Sequence, residues 1–457
     1  MLKQIYNFSP MWFQNIMLSI YSERSSKKRY PDNIDQIIFE KQKIEMLPRE
    51  KIEELNTFML ETILKYSSEN VEYYTRVFKK NNFTFNTNVN EEVKKISFLN
   101  KEIIINNYKE LISKEFQIKD LIKDSTSGTT GTPLKIYKDI NTYRESFITW
   151  EVLRRNNGVK IGDKRATFFG REIVSMNEKN NFWRYNAYQN QLLFSIFHIK
   201  NENVINYVKK LNQFKPIFIE SYPSAIYILA KMVKEQGLEL KFQTKCIFTT
   251  AENLEPYMRE VIEDIFKTKV IDQYGSSESV LFSSECEKGN KHIFPGFGHS
   301  EVLKNDGTTS EVGYGELVVT GLFNKSMPFI RYKTGDIVEL AYKKCSCGRQ
   351  SKIITRIDGR KEDIITTPDG RQIGRLDHIF KGLKNIKEAQ IIQESLDEII
   401  IKVVPGIGYS KKSENEFINA LKFRLGNKFN YRIELVEKIP REKNGKLRAV
   451  ISKVRKV

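Results

Sequence analysis

Residues 124–139, DSTSGTTGTPLKIYKD, crowd Ser127, Gly128, Thr129, Thr130 and Gly131 ahead of an apolar, basic run. The glycines permit a tight turn with backbone N–H groups facing inward, and the hydroxyls can donate to phosphoryl oxygens. The stretch can therefore hold phosphate, and by itself it reads equally as a polar linker. It is not the loop of the P-loop nucleotidases, because no Gly-Lys-Ser/Thr follows Gly128, and the dinucleotide fingerprint GxGxxG is absent. A second cluster lies further on: Cys286 and His292 in CEKGNKH, then Cys345 and Cys347 in CSC. Three thiolates and an imidazole complete a tetrahedral zinc site. Cys-x-Cys is a looser signal than Cys-x-x-Cys, so unliganded thiols remain the alternative.

These groups need a scaffold, and 457 residues with 40% hydrophobic and 12% aromatic content supply one of two or three domains. Residues 33–80 have helical spacing, as do the stretches around 103–113 and 142–156. Short apolar strands then alternate with helices at 201–212, 224–236 and 255–266, the pattern of a parallel α/β sheet. Thr250, Glu252, Tyr274 and Glu278 sit where such strands end, which is where these sheets place ligands. From 280 to 356 the pattern is β-rich, and from 359 onward a compact region mixes strands and helices. The expected fold is α/β: a large N-terminal domain, 1–358, with parallel α/β sheets and a β-rich subdomain, plus a small mobile α+β domain, 359–457.

The charge of +18, from 75 Lys and Arg against 57 acids, comes with no zinc finger, RRM or helix-turn-helix pattern, so nucleic acid is not expected. It reads as a solvated cationic surface, or as attraction to an anionic nucleotide, CoA, glycan or membrane. Four cysteines make no disulfide scaffold and suit a reducing, cytoplasmic compartment. No run of 18 apolar residues is present to span a bilayer. The start, SPMWFQNIMLSIYSERSSKKR, is amphipathic but too polar for a signal peptide. Packing on the core is expected of it, with a peripheral membrane contact as the alternative. Cys246 reads as a buried strand residue, and nothing around His198 or His299 suggests catalysis.

After the hydroxyl–glycine loop come TTAENL (249–254), DQYGSSES (272–279), RYKTGDIVEL (331–340), RIDGRKEDII (356–365) and IPREKNGKLR (439–448). This succession closely resembles the adenylate-forming superfamily of acyl-CoA synthetases. The short chain and CSCGRQ are most similar to its phenylacetate–CoA ligase/CapK branch, from about residue 5 to the C-terminus.

The resemblance implies an enzyme that activates a small-molecule carboxylic acid with ATP, releases pyrophosphate, and passes the acyl group to a thiol or amine. It implies phosphate binding by the 125–135 loop, above all Thr129 and Thr130, and Mg²⁺ held through Glu278. Tyr274 would stack on adenine, with Glu252 near the base and Gly275 leaving room for the substrate carboxylate. Asp336 would accept the ribose hydroxyls, beside Arg360, while Arg356 either assists or is a surface ion-paired residue. Lys446 would be the catalytic lysine, carried on the small domain, with a solvated basic tail as its bland alternative. The hinge reads Gly359-Arg360-Lys361-Glu362-Asp363 where the family has Gly-Arg-x-Asp-Asp, leaving Lys361 and Glu362 both as pivots. Trp150, Phe168, Phe169, Trp183 and residues 220–224 either shape the acyl pocket or belong to the core. CoA is the simplest acceptor. An amide-forming ligase of surface-polysaccharide or natural-product synthesis and a non-catalytic scaffold are the alternatives.

Overall fold

The computed structural model describes residues 6, 8–85, 88–125, 134–360, 365–368, 372–373, 376, 385–441 and 447–454. Ser127, Gly128, Thr129, Thr130 and Gly131 of the loop, Lys361 and Glu362 of the hinge, and Lys446 lie outside them.

The expected α/β architecture is present. Short runs rich in β-branched and aromatic residues, such as Cys246–Thr250 (CIFTT), form buried strands. Five of them pair in parallel in the order Gln191–Ser195, Arg165–Phe169, Phe218–Ser221, Cys246–Thr250, Val270–Gly275. The helices Val204–Phe214, Pro223–Glu235 and Pro256–Phe266 connect successive strands. Their apolar faces join the strands in one core with Ile219, Ile226, Leu229, Ile247 and Ile262.

The parallel and β-rich parts are not separate sheets. From Val270–Gly275 the sheet continues antiparallel through Phe282–Glu285, Lys291–Ile293, Ile353–Arg360, Tyr332–Ala341 and Gly313–Gly321. It unites thirteen described strands. The helices Arg49–Asn70 and Glu72–Lys80 pack on this second half, where Leu60, Leu64 and Tyr74 meet Val302, Val319 and Ile330. The C-terminal residues form a four-stranded sheet, Asn430–Leu435, Glu398–Pro405, Ile386–Gln393, Val450–Ser452. With the helix Lys411–Leu425 it encloses its own core around Ile391, Ile401, Phe417 and Leu421.

The N-terminal stretch departs from expectation in its orientation. It forms the helix Met11–Arg29, but its polar side faces the body of the protein. Trp12, Ile16 and Ile20 are left exposed.

Candidate active site

Parallel strands direct their C-terminal ends to one edge of the sheet, and Cys246–Thr250 and Val270–Gly275 end there side by side. Just past them lie Glu252 and the segment Ser276–Ser279. On the antiparallel side, Asp336 stands directly opposite Arg360 in the register of their two strands. Gly359 holds a φ of +91° beside it, a left-handed conformation that favours a residue without Cβ. The result is a cavity of about 920 Å³ lined by Glu252, Tyr274, Gly275, Glu278, Asp336, Arg356 and Arg360. Ile386–Ala389 of the C-terminal sheet and Leu447–Val450, which lead into its last strand, also line it.

Asp336 is the hub. Its Oδ1 lies 2.9 Å from Arg360 Nε, and its Oδ2 accepts from the Tyr274 hydroxyl at 2.5 Å. Arg360 Nη1 also donates to the Thr334 carbonyl at 2.8 Å, which fixes the plane of the guanidinium. Burial and the Asp336 carboxylate push the Tyr274 phenol well above its ordinary pKa, so it stays a hydrogen-bond donor. Tyr274 as a whole is only part-buried and lines the cavity. At Gly275 a Cβ would fall 2.6 Å from Gln273 Nε2, so that side chain would have to move to admit a larger residue.

Glu278 is not a surface carboxylate. It is buried, lines the cavity and accepts from the Tyr332 hydroxyl at 3.0 Å. Glu252 bridges two parts of the chain. Its Oε2 accepts from Ser224 N at 3.0 Å in the first turn of Pro223–Glu235, and its Oε1 accepts from Leu447 N at 3.2 Å. Each acid adjoins a residue with a left-handed backbone, Ala251 at φ +71° and Ser279 at φ +55°. Such a conformation costs a residue with a Cβ roughly 1–2 kcal/mol, so tertiary packing must hold both turns. Arg356 is ion-paired with Asp358 at 2.6 Å, and its guanidinium lies over the Tyr314 ring.

Of the candidate pocket aromatics, only Trp150 lines the cavity. Phe168 is fully buried and stacks on Phe194 at 4.7 Å, Trp183 packs against the same core, and Phe169 leans on Tyr222. Glu220 accepts from Arg154 Nε at 2.8 Å and Arg165 Nη1 at 3.2 Å, a buried structural cluster. Ser224 does reach the cavity. Sequence reasoning missed Tyr332 and the Ser146–Ser279 hydroxyl pair at 2.9 Å. Tyr332 lies within RYKTGD, so the motif contained it. Ser146 carries no signal of its own.

The cysteine pairs converge elsewhere. Donor atoms of Cys286, His292, Cys345 and Cys347 all lie within 4.8 Å of one another. Antiparallel pairing of His292 with Ile353 draws the 345–347 turn beside Cys286. Lys288 N and Arg349 N each donate at 3.4 Å to the sulfur two residues earlier, and Asn290 Nδ2 donates to Cys345 Sγ at 3.2 Å. These N–H groups all point at sulfur, and Ser351 Oγ beside His292 Nδ1 at 3.5 Å orients the ring with Nε2 toward the sulfurs. The donor set fits a closed zinc site. Cys246 is buried, as expected, and the four cysteines are free of disulfides. His198 pairs with Ser195 Oγ at 2.8 Å under the Phe182 ring, away from the cavity.

The CapK C-terminal domain family matches residues 365–453. Protein CapK of Staphylococcus aureus is 32% identical over the full length of both chains. The chain belongs to the CapK family of adenylate-forming ligases. More distant relatives of this CapK homologue include a phenylacetate-coenzyme A ligase of Thermus thermophilus. That protein is 25% identical, over 70% of this chain and 73% of its own. The fold also superposes on a 2-hydroxyisobutyryl-CoA ligase in its postadenylation state with R3-HIB-AMP. There the TM-score is 0.70 at 18% identity, over 90% of this chain and 91% of that one. No described helix of the CapK homologue is long and apolar enough to cross a membrane.

Proposed function

We propose that this CapK homologue activates a carboxylic acid with ATP and Mg²⁺ and passes the acyl group to CoA. The observation that carries the reading is the convergence of Tyr274, Glu278, Asp336 and Arg360 on one cavity between the main and C-terminal sheets. In the first half-reaction the substrate carboxylate attacks the α-phosphorus, forming acyl-adenylate and releasing pyrophosphate. In the second, the thiolate attacks the acyl carbon and AMP leaves.

Asp336 accepts the ribose hydroxyls in this reading, since an ionised carboxylate has acceptor sites beyond the two that Arg360 and Tyr274 occupy. The Tyr274 ring stacks on adenine. Glu278, held by Tyr332, serves the Mg²⁺ that neutralises the triphosphate. The 125–135 loop binds phosphates, and Lys446 bridges the acid and the α-phosphate. We assign Arg356 to the Asp358 pair rather than to the nucleotide. Residues 359–457 form the small domain that turns about the hinge at 357–362. The contact from Leu447 to Glu252 supports a state in which the neighbour of Lys446 is seated at the cavity. Four free cysteines suit the cytoplasm.

Pyrophosphate exchange with labelled ATP over a panel of aryl, fatty, hydroxy and amino acids tests the first half-reaction. Exchange is expected only when both Mg²⁺ and one acid class are present. Cleavage to ADP and phosphate would remove the assignment. The acceptor is read separately: pre-formed adenylate is expected to be discharged by CoA far faster than by water. If an amine accelerates discharge and CoA does not, the protein is an amide-forming ligase.

Cys286, His292, Cys345 and Cys347 hold a structural zinc in this reading. Purified protein is expected to contain about one equivalent of zinc, as a closed four-ligand site does. Cys345→Ser should lose the metal and lower the melting temperature. Metal-free protein with unchanged melting would refute the site.

A further inference from the structure

The Met11–Arg29 helix lies along the edge strand Trp183–Asn186, the outermost of the thirteen. An edge strand leaves backbone N–H groups unpaired, and this one is capped by side chains from the helix. Asn15 Oδ1 accepts from Tyr185 N at 2.9 Å, and Ser19 Oγ accepts from Ala187 N at 2.9 Å. Ser22 and Ser26 accept from Asn186 Nδ2 and Gln189 Nε2, and Gln14 from Arg184 Nε. The polar positions are consumed by the sheet edge, so the apolar ones turn outward.

Phe13, Ile16 and Ile20 follow one another at i, i+3 and i+7, and the same face continues into Arg24 and Lys27. Phe8, Met11, Trp12 and Tyr21 flank it. All are exposed, Trp12 by 64% and Tyr21 by 66%. A patch of this kind, exposed among the described residues, marks an interaction surface.

We propose that this face docks on an anionic phospholipid membrane. Exposed aromatic and aliphatic side chains suit the headgroup–acyl boundary, and the cations that follow them on the helix suit anionic headgroups. Charge decides between a bilayer and a second copy of this chain. Glu23 is the only acid on the helix, and Lys27 already binds it at 2.8 Å. Two such faces apposed would bring Arg24 and Lys28 against a helix whose single acid, Glu23, is already taken by Lys27. An anionic bilayer neutralises them, and the net +18 of the chain adds attraction.

The test is co-sedimentation of the full chain with vesicles of phosphatidylcholine alone or with about one-third phosphatidylglycerol. Binding to the anionic vesicles is expected, weakening as salt rises. The triple variant Trp12→Ser, Ile16→Ser, Ile20→Ser keeps the charge and should bind about tenfold less, with an unchanged thermal melt because these side chains are exposed. Native protein that stays in the supernatant overturns the proposal. So does a triple variant that binds as well as native, since adsorption would then be charge alone. A native dimer that the triple variant splits, with vesicle binding unaltered, would assign the face to a second copy.

Discussion

Lys446→Ala is expected to slow acyl-adenylate formation by about 10²–10³-fold, the usual effect of removing one strong electrostatic contact to a developing charge. Supplied acyl-adenylate should still be transferred to its acceptor at a near-native rate. The asymmetry follows from where the residue lies in the chain. In the proposed reading every other nucleotide motif precedes residue 361, whereas Lys446 follows the proposed hinge in the chain, within the same stretch of sequence as the separate C-terminal sheet and core. A group on a separate domain can serve one half-reaction and swing away for the next. Pyrophosphate exchange reads the first half and release of AMP from synthetic adenylate reads the second. Equal loss in both would make the lysine structural, and an unaffected exchange rate would remove it from the mechanism.

Asp336→Asn should raise the KM for ATP by about 10²-fold, because hydrogen bonds to a charged group contribute about 1.5–3 kcal/mol each and the ribose diol makes two. The amide keeps the shape of the carboxylate and one acceptor for the Tyr274 hydroxyl, but it no longer neutralises Arg360. Thermal melting separates a folding defect from a binding one. Tyr274→Phe, which keeps the ring and drops the bond to Asp336, is expected to cost much less. An unchanged KM for ATP in Asp336→Asn would show that the ribose lies elsewhere.

Much of this site was legible because its residues sit in short motifs. Tyr274, Gly275 and Glu278 share one stretch, since a strand end and the turn after it face the cavity together. The alternation of apolar strands with amphipathic helices announced the parallel half of the sheet. That the β-rich half extends the same sheet was not legible, because edge pairing between distant strands leaves no local pattern. Nor could types and spacing separate Trp150, which lines the cavity, from Phe168 and Trp183, which fill the core. All three are large aromatics, and only the direction of each side chain in the packed structure divides them.

The amino-acid sequence by itself determined which chemical groups are available, their order along the chain, and that the N-terminal helix has two unlike faces. Tertiary structure alone decided what each group meets. Asp336 is shared between Arg360 and Tyr274 because strand register sets it opposite Arg360, and the fold brings the hydroxyl of Tyr274, from a strand further along the sheet, to its other oxygen. The two cysteine pairs meet because the strand that carries His292 and the strand that follows Cys347 pair antiparallel. The helix turns its polar face inward because the Trp183–Asn186 edge needs acceptors for its N–H groups. Hydrophobic periodicity records that a helix has two faces, but an unpaired strand edge chooses which one is buried.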